Sequence, residues 1–142
     1  MKALYALLLG ATLAACTSVQ PARVELGDRC LRCRRPVQDL RLAGEIVDSM
    51  RAPFPFRTAG CMAKYVKANS GLQFTAIFVT DFRTGKMIAA SDAWFVPTSI
   101  TSPDGTTAEA DYYAFRTRSD AQQFKADTAS FLRWNQVVAA VE

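Results

Sequence analysis

The chain has 142 residues, of which 50% are hydrophobic and 21% charged, with a formal net charge of +4 and no histidine. That length holds one domain, or two small halves packed together. Without histidine there is no Ser-His or Cys-His dyad and no ordinary general base near neutral pH, which argues against an enzyme. The positive excess clusters only at Arg32, Arg34 and Arg35, so the long basic stripe of a nucleic-acid binder is absent.

Lys2 followed by the apolar run Ala3 to Leu13 reads as a secretory leader, too short to span a bilayer. It ends in Leu13-Ala14-Ala15-Cys16, a bacterial lipoprotein processing site. Residues 1–15 are therefore expected to be a signal peptide and Cys16 the lipidated residue, its acyl chains (palmitate among them) giving stable membrane attachment. Thr17 follows, with no aspartate to suggest retention at the inner membrane, so the expected location is the periplasmic face of a Gram-negative outer membrane. Residues 16–28, polar and containing Pro21 and Gly27, read as a tether to a domain over 29–142.

Beyond the tether, Gly44 to Met50 reads as a strand, and Pro53 and Pro55 are expected to interrupt any ladder around Phe54. A helix is predicted from Thr58 or Ala59 to about Asn69, its apolar stripe made by Met62, Tyr65 and Val66. Phe74 to Phe82 gives the strongest strand signal; Arg83-Thr84-Gly85-Lys86 is a turn, and Met87 to Ala90 returns. Trp94-Phe95-Val96 is a short strand. Pro97 to Asp111 reads as a loop whose flanking Asp104 and Asp111 are expected to be solvated, and Tyr112 to Phe115 is a strand. A second helix is predicted to open at Ser119, with Gln122 completing a capping box, and to end near Ala129 or Ser130. Phe131 to Trp134 reads as a strand, and the last residues fit either strand or helix.

Phe56-Arg57-Thr58 before the first helix is echoed by Phe115-Arg116-Thr117 before the second. With the matching order of elements this suggests an α+β fold of two related ββαβ units, about 36–82 and 86–142.

The chemistry-bearing residues are sulfurs. Cys30-Leu31-Arg32-Cys33 is a C-x-x-C pair, and Cys61, beside Met62, falls in the first turn of the first helix. A helix N-terminus favours the thiolate, whereas burial opposes it. Three thiols serve a four-ligand zinc site poorly but suit Cu(I), which accepts two or three soft sulfur donors. Cys30, Cys33, Cys61 and, more weakly, Met62 are the candidate ligands. Two alternatives stay open: a Cys30–Cys33 disulfide that pins the tether in an interaction module, and a thiol oxidoreductase.

From about Cys30 to Trp134 the sequence resembles the NosL family, lipoprotein copper chaperones associated with nitrous oxide reductase maturation. The resemblance rests on the lipobox at Cys16, Cys30-x-x-Cys33, the helix Phe56 to Val66, Val79-Thr80-Asp81-Phe82-Arg83-Thr84-Gly85, Ala93-Trp94-Phe95-Val96, and Tyr113-Ala114-Phe115 before Ser119-Asp120-Ala121. It implies two ββαβ units, similar to the alkylmercury lyase fold, and Cu(I) passed to a metal-accepting periplasmic protein or membrane assembly complex, with the Trp94 to Tyr113 region as a docking surface. The chain departs from the family where Arg34 and Arg35 replace a common Gly-Met after the second cysteine, and where Pro103-Asp104-Gly105 replaces Pro-Met-Gly.

Overall fold

A computed structural model describes residues 18–101, 105–125 and 130–142. The leader, Cys16 and Asp104 lie outside the described residues.

Four strands, β1 (Gly44–Asp48), β2 (Pro53–Phe56), β3 (Phe74–Thr80) and β4 (Met87–Ala89), form an antiparallel sheet in the order β2-β1-β3-β4. Helix α1 (Ala59–Ala68) links β2 to β3. The prolines expected to break the ladder instead lie within β2. As an edge strand, β2 turns the N-side of Pro53 and Pro55 away from β1, so no ladder hydrogen bond is lost. The outward carbonyl of Pro55 then accepts the Leu31 N–H at 2.9 Å, which docks the C-x-x-C loop on the sheet edge.

The expected loop from Pro97 to Asp111 is mostly sheet. β5 (Trp94–Thr101) and β6 (Ala108–Phe115) pair along their whole length, from Trp94 opposite Phe115 to Thr101 opposite Ala108. Serine, threonine and a proline on an exposed ribbon looked like loop composition, but the long antiparallel pairing decides the structure. The ribbon joins the sheet where the Phe82 N–H donates to the Ala114 carbonyl at 2.8 Å.

Helix α2 (Arg118–Phe124) is capped two residues ahead of the expected Ser119, and it ends at Phe124, short of the expected Ala129 or Ser130. Its N-cap is Thr117, whose hydroxyl accepts from the Asp120 N–H at 3.0 Å. Thr58 caps α1 in the same way, accepting from the Cys61 N–H at 3.1 Å. The shared Phe-Arg-Thr motif is thus a shared start signal, each cap contributing about 1 kcal/mol. The expected strand Phe131 to Trp134 reduces to one bridge, Leu132 with Phe95, and a third helix, α3 (Trp134–Ala140), follows. β1 pairs with β2 and β3, and β5 pairs with β6 and Leu132. The second strand-strand-helix-strand set therefore ends in a bridge where the first has a full strand.

The main core lies between α1 and the strands and includes Ile46, Phe56, Met62, Val79 and Phe95. A second cluster holds Val96, Phe115, Ala121 and Phe131, with Phe82 and Tyr113 against it. Part of the stretch read as a tether is docked: Val24 packs with Val37 and Ala43, and the Ala22 N–H donates to Glu45 at 2.9 Å.

Candidate metal centre

The C-x-x-C loop is a tight turn. The Arg34 N–H donates to the Cys30 carbonyl and the Cys30 N–H to the Arg35 carbonyl, both at 3.0 Å, and Arg29 bridges Pro36 at its base. Arg34 carries a left-handed φ of 62°, the conformation for which glycine is best suited. This loop presents Cys30 and Cys33 to the first turn of α1, where Cys61 sits.

The three sulfurs lie within 4.8 Å of one another. Cys30 and Cys61 are in direct contact at 3.4 Å, both buried, and Cys33 is half-buried. All three are free thiols. Sulfurs in trigonal coordination at the ~2.3 Å bond length of a metal thiolate would stand roughly 4 Å apart. The observed spacing brackets that value, so shared ligation needs only small side-chain shifts. Among the described residues the cluster holds no fourth donor of histidine or carboxylate type, which suits Cu(I) better than a structural zinc ion.

The orientation of Cys61 is fixed by groups the sequence reading did not select. Asp111 on β6, expected to be solvated, is 4% exposed. Its Oδ1 accepts the Gly60 N–H at 2.8 Å, and it also bonds the Thr58 hydroxyl. A Cβ on Gly60 would stand 2.9 Å from Oδ1 of that carboxylate, so glycine is required for the approach. Burial pushes the Asp111 carboxyl above the usual carboxylate range, with the bonds to Thr58, Gly60 and Tyr112 opposing. Met62, one residue beyond Cys61, is fully buried on the sheet side of α1 with its thioether against Gly44.

These caps also reverse the expectation for Cys61. The first-turn N–H groups that would stabilise a thiolate are already taken by Asp111 and Thr58. Of the two touching sulfurs, Cys61 is pushed up by its bond to Cys30, by burial and by the neighbouring Cys30 charge. Cys30 is lowered to about 5, chiefly by the hydrogen bond from Cys61, against burial and helped by the Cys33 and Arg57 backbone N–H groups.

Cys33 and Cys61 open on a cleft of about 640 Å³ whose walls include Arg32, Arg57, Lys64 and Glu109. Arg32 Nη1 reaches the Cys61 sulfur at 4.0 Å. Arg57 Nη2 donates to Glu109 at 2.9 Å, and Arg35 Nη1 donates to the same carboxylate at 3.0 Å. The C-x-x-C spacing was the legible signal; nothing in the spacing pointed to these arginines.

Fold and site together define a small α+β domain with a three-thiol cluster suited to a soft metal, at the lip of a cleft lined by charged residues of both signs. The fold is that of the copper chaperone NosL from Shewanella denitrificans, whose crystal structure superposes with a TM-score of 0.65 at 17% sequence identity, covering 84% of this chain and 96% of that one. No family model matches the sequence, and no curated protein matches it either.

Proposed function

We propose that the protein is a membrane-anchored periplasmic copper carrier that holds Cu(I) on Cys30, Cys33 and Cys61 and delivers it during maturation of a copper enzyme of the nitrous oxide reductase kind. The observation that carries this reading is the convergence of three sulfurs, two on a loop and one on α1, within 4.8 Å. The shared fold with a copper chaperone supports it. In this reading Met62 packs the core, and the lipid on Cys16 keeps the domain at the outer membrane. Transfer proceeds by exchange of one sulfur donor for another, which needs no catalytic base. The partner is a metal-accepting periplasmic protein or membrane assembly complex that approaches the half-buried Cys33 from the cleft.

The test is anaerobic competition between the reduced domain and a chromophoric Cu(I) chelator. One Cu(I) per chain should be withdrawn from the chelator, and replacing all three cysteines by serine should abolish this. Equal uptake by the serine variant would overturn the assignment. Anchoring is tested separately: Cys16→Ala should release the protein from the membrane fraction, and unchanged sedimentation would remove the anchor from the reading.

A further inference from the structure

Two guanidinium groups contact the cluster directly. Arg57 follows β2 directly and precedes the α1 cap, and its side chain is only 9% exposed. Its backbone N–H donates to the Cys30 sulfur, and its guanidinium bonds the Cys33 thiol as well as Glu109. Its Nε is buried without a hydrogen-bond partner among the described residues. A buried N–H is rarely left unpaired, and this one borders the cleft into which two of the thiols open. Arg32 adds a second cation at the Cys61 sulfur. Glu109 bridges Arg35 and Arg57, and the Asp111 carboxyl faces Arg57 from β6, but the charged side chains in contact with the sulfurs are the Arg57 and Arg32 guanidiniums.

Metal binding requires the ligands as thiolates. Three thiolates around a monovalent cation carry a charge of 2−, which the Arg32 and Arg57 guanidiniums in contact with the sulfurs favour. Around a divalent cation the same thiolates carry a single negative charge, and the guanidiniums against the sulfurs repel the doubly charged ion more strongly than a singly charged one. We propose that Arg57, assisted by Arg32, is the positioning residue that matches this site to a monovalent soft cation and sets it against a divalent one. This rests on the three-cysteine copper reading above and adds to it the source of charge selectivity.

The experiment measures Cu(I), Ag(I) and Zn(II) binding to the reduced wild-type domain, Arg57→Met and Arg57→Lys, with far-UV circular dichroism as the control for folding. Outer-shell partners of metal ligands typically contribute 10–100-fold in affinity. Arg57→Met should lose roughly that factor for Cu(I) and Ag(I) but lose little or gain for Zn(II), and Arg57→Lys should recover most of the monovalent affinity. Should Arg57→Met not fold, Arg32→Met, an exposed site, makes the same comparison with a smaller loss. An equal loss for all three ions, or none, would overturn the proposal while leaving the copper assignment intact. Wild-type uptake of Ag(I) but not Cu(I), with the Arg57 dependence, would sink the copper assignment and keep the charge-matching role. Uptake of no monovalent ion would sink both.

Discussion

The Asp111 carboxylate accepts the Gly60 N–H at 2.8 Å, so a residue on β6 fixes the first turn of the helix that carries Cys61. The relationship has a counterpart. Asp81, buried just after β3, accepts the Arg116 N–H at 3.2 Å immediately ahead of the α2 cap. Each buried aspartate steadies the approach to a helix that belongs to the other sheet, which adds two side-chain links to the bridge between Asp81 and Ala114. Asp111→Ala should cost about 1–3 kcal/mol, the penalty for a buried donor left unpaired. It should also weaken Cu(I) binding by releasing Cys61. Urea unfolding and chelator competition on the same variant check both effects; a fully stable variant would show that the Gly60 bond is replaced by water.

The two threonine caps allow a sharper comparison. Thr58→Ala and Thr117→Ala each remove a cap bond worth about 1 kcal/mol, together with the hydroxyl's bond to a carboxylate, Asp111 or Asp120. Only Thr58 accepts from the backbone N–H of a cluster cysteine, Cys61, at 3.1 Å. Both variants should lower Tm, but only Thr58→Ala should reduce Cu(I) affinity. Equal affinity in the two would mean that the position of Cys61 does not depend on its cap.

Much of the first half was legible because its signals are local. The α1 stripe, its capping threonine and the strand from Phe74 act within a few residues of themselves. The ribbon was not, since β5 and β6 are stabilised by partners across the hairpin and their Ser, Thr and Pro content resembles a loop. Asp111 was misread for the same reason: its burial depends on α1, far away in sequence. The C-x-x-C announced two sulfurs, but the arrival of Cys61 depends on the Leu31–Pro55 bond that docks the loop. Adjacent helical residues point about 100° apart, so Cys61 and Met62, neighbours in sequence, face different surroundings.

Arg34 offers a prediction about stability alone. It occupies the left-handed region with φ 62° in the turn that closes the C-x-x-C loop. A non-glycine residue there costs roughly 1–2 kcal/mol, part of which is offset by the greater freedom glycine gives the unfolded chain. Arg34→Gly should therefore stabilise the domain by up to about 1 kcal/mol, measured as a higher urea midpoint at unchanged m-value. A lower midpoint would show that the arginine side chain makes a contact stronger than the strain.

The touching thiols give stability a defined pH profile. Folded Cys30 titrates at about 5 against an ordinary 9.0. Between those values the unfolded state holds a proton that the folded state lacks, so Cys30 makes stability rise with pH across that window. Cys61 is raised above 9.0, so above pH 9 the folded state retains a proton that the unfolded state has lost, and stability falls again. Urea midpoints under reducing conditions should therefore climb from about pH 5 towards 9 and turn over beyond it. Cys30→Ser should flatten the climb, and an unchanged profile in that variant would refute the assignment. Because Cu(I) must displace the Cys61 proton, affinity should also rise with pH.

Oxidation discriminates between the possible sulfur pairings. The C-x-x-C spacing alone favours a Cys30–Cys33 disulfide, but the direct contact is between Cys30 and Cys61, at 3.4 Å. Hydrogen peroxide is small enough to reach a buried thiolate. It oxidises Cys30 to the sulfenic acid while being reduced to hydroxide, and the Cys61 thiol then attacks that sulfur, forming the disulfide and releasing water. Alkylation of the remaining thiol and peptide mass mapping should find Cys30 joined to Cys61 and the half-buried Cys33 modified. Cu(I) uptake should be lost until the bond is reduced, since two of three donors are consumed. A predominant Cys30–Cys33 link would mean that the loop leaves α1 before it oxidises, and that the three-sulfur arrangement is not the state from which the apo-protein reacts.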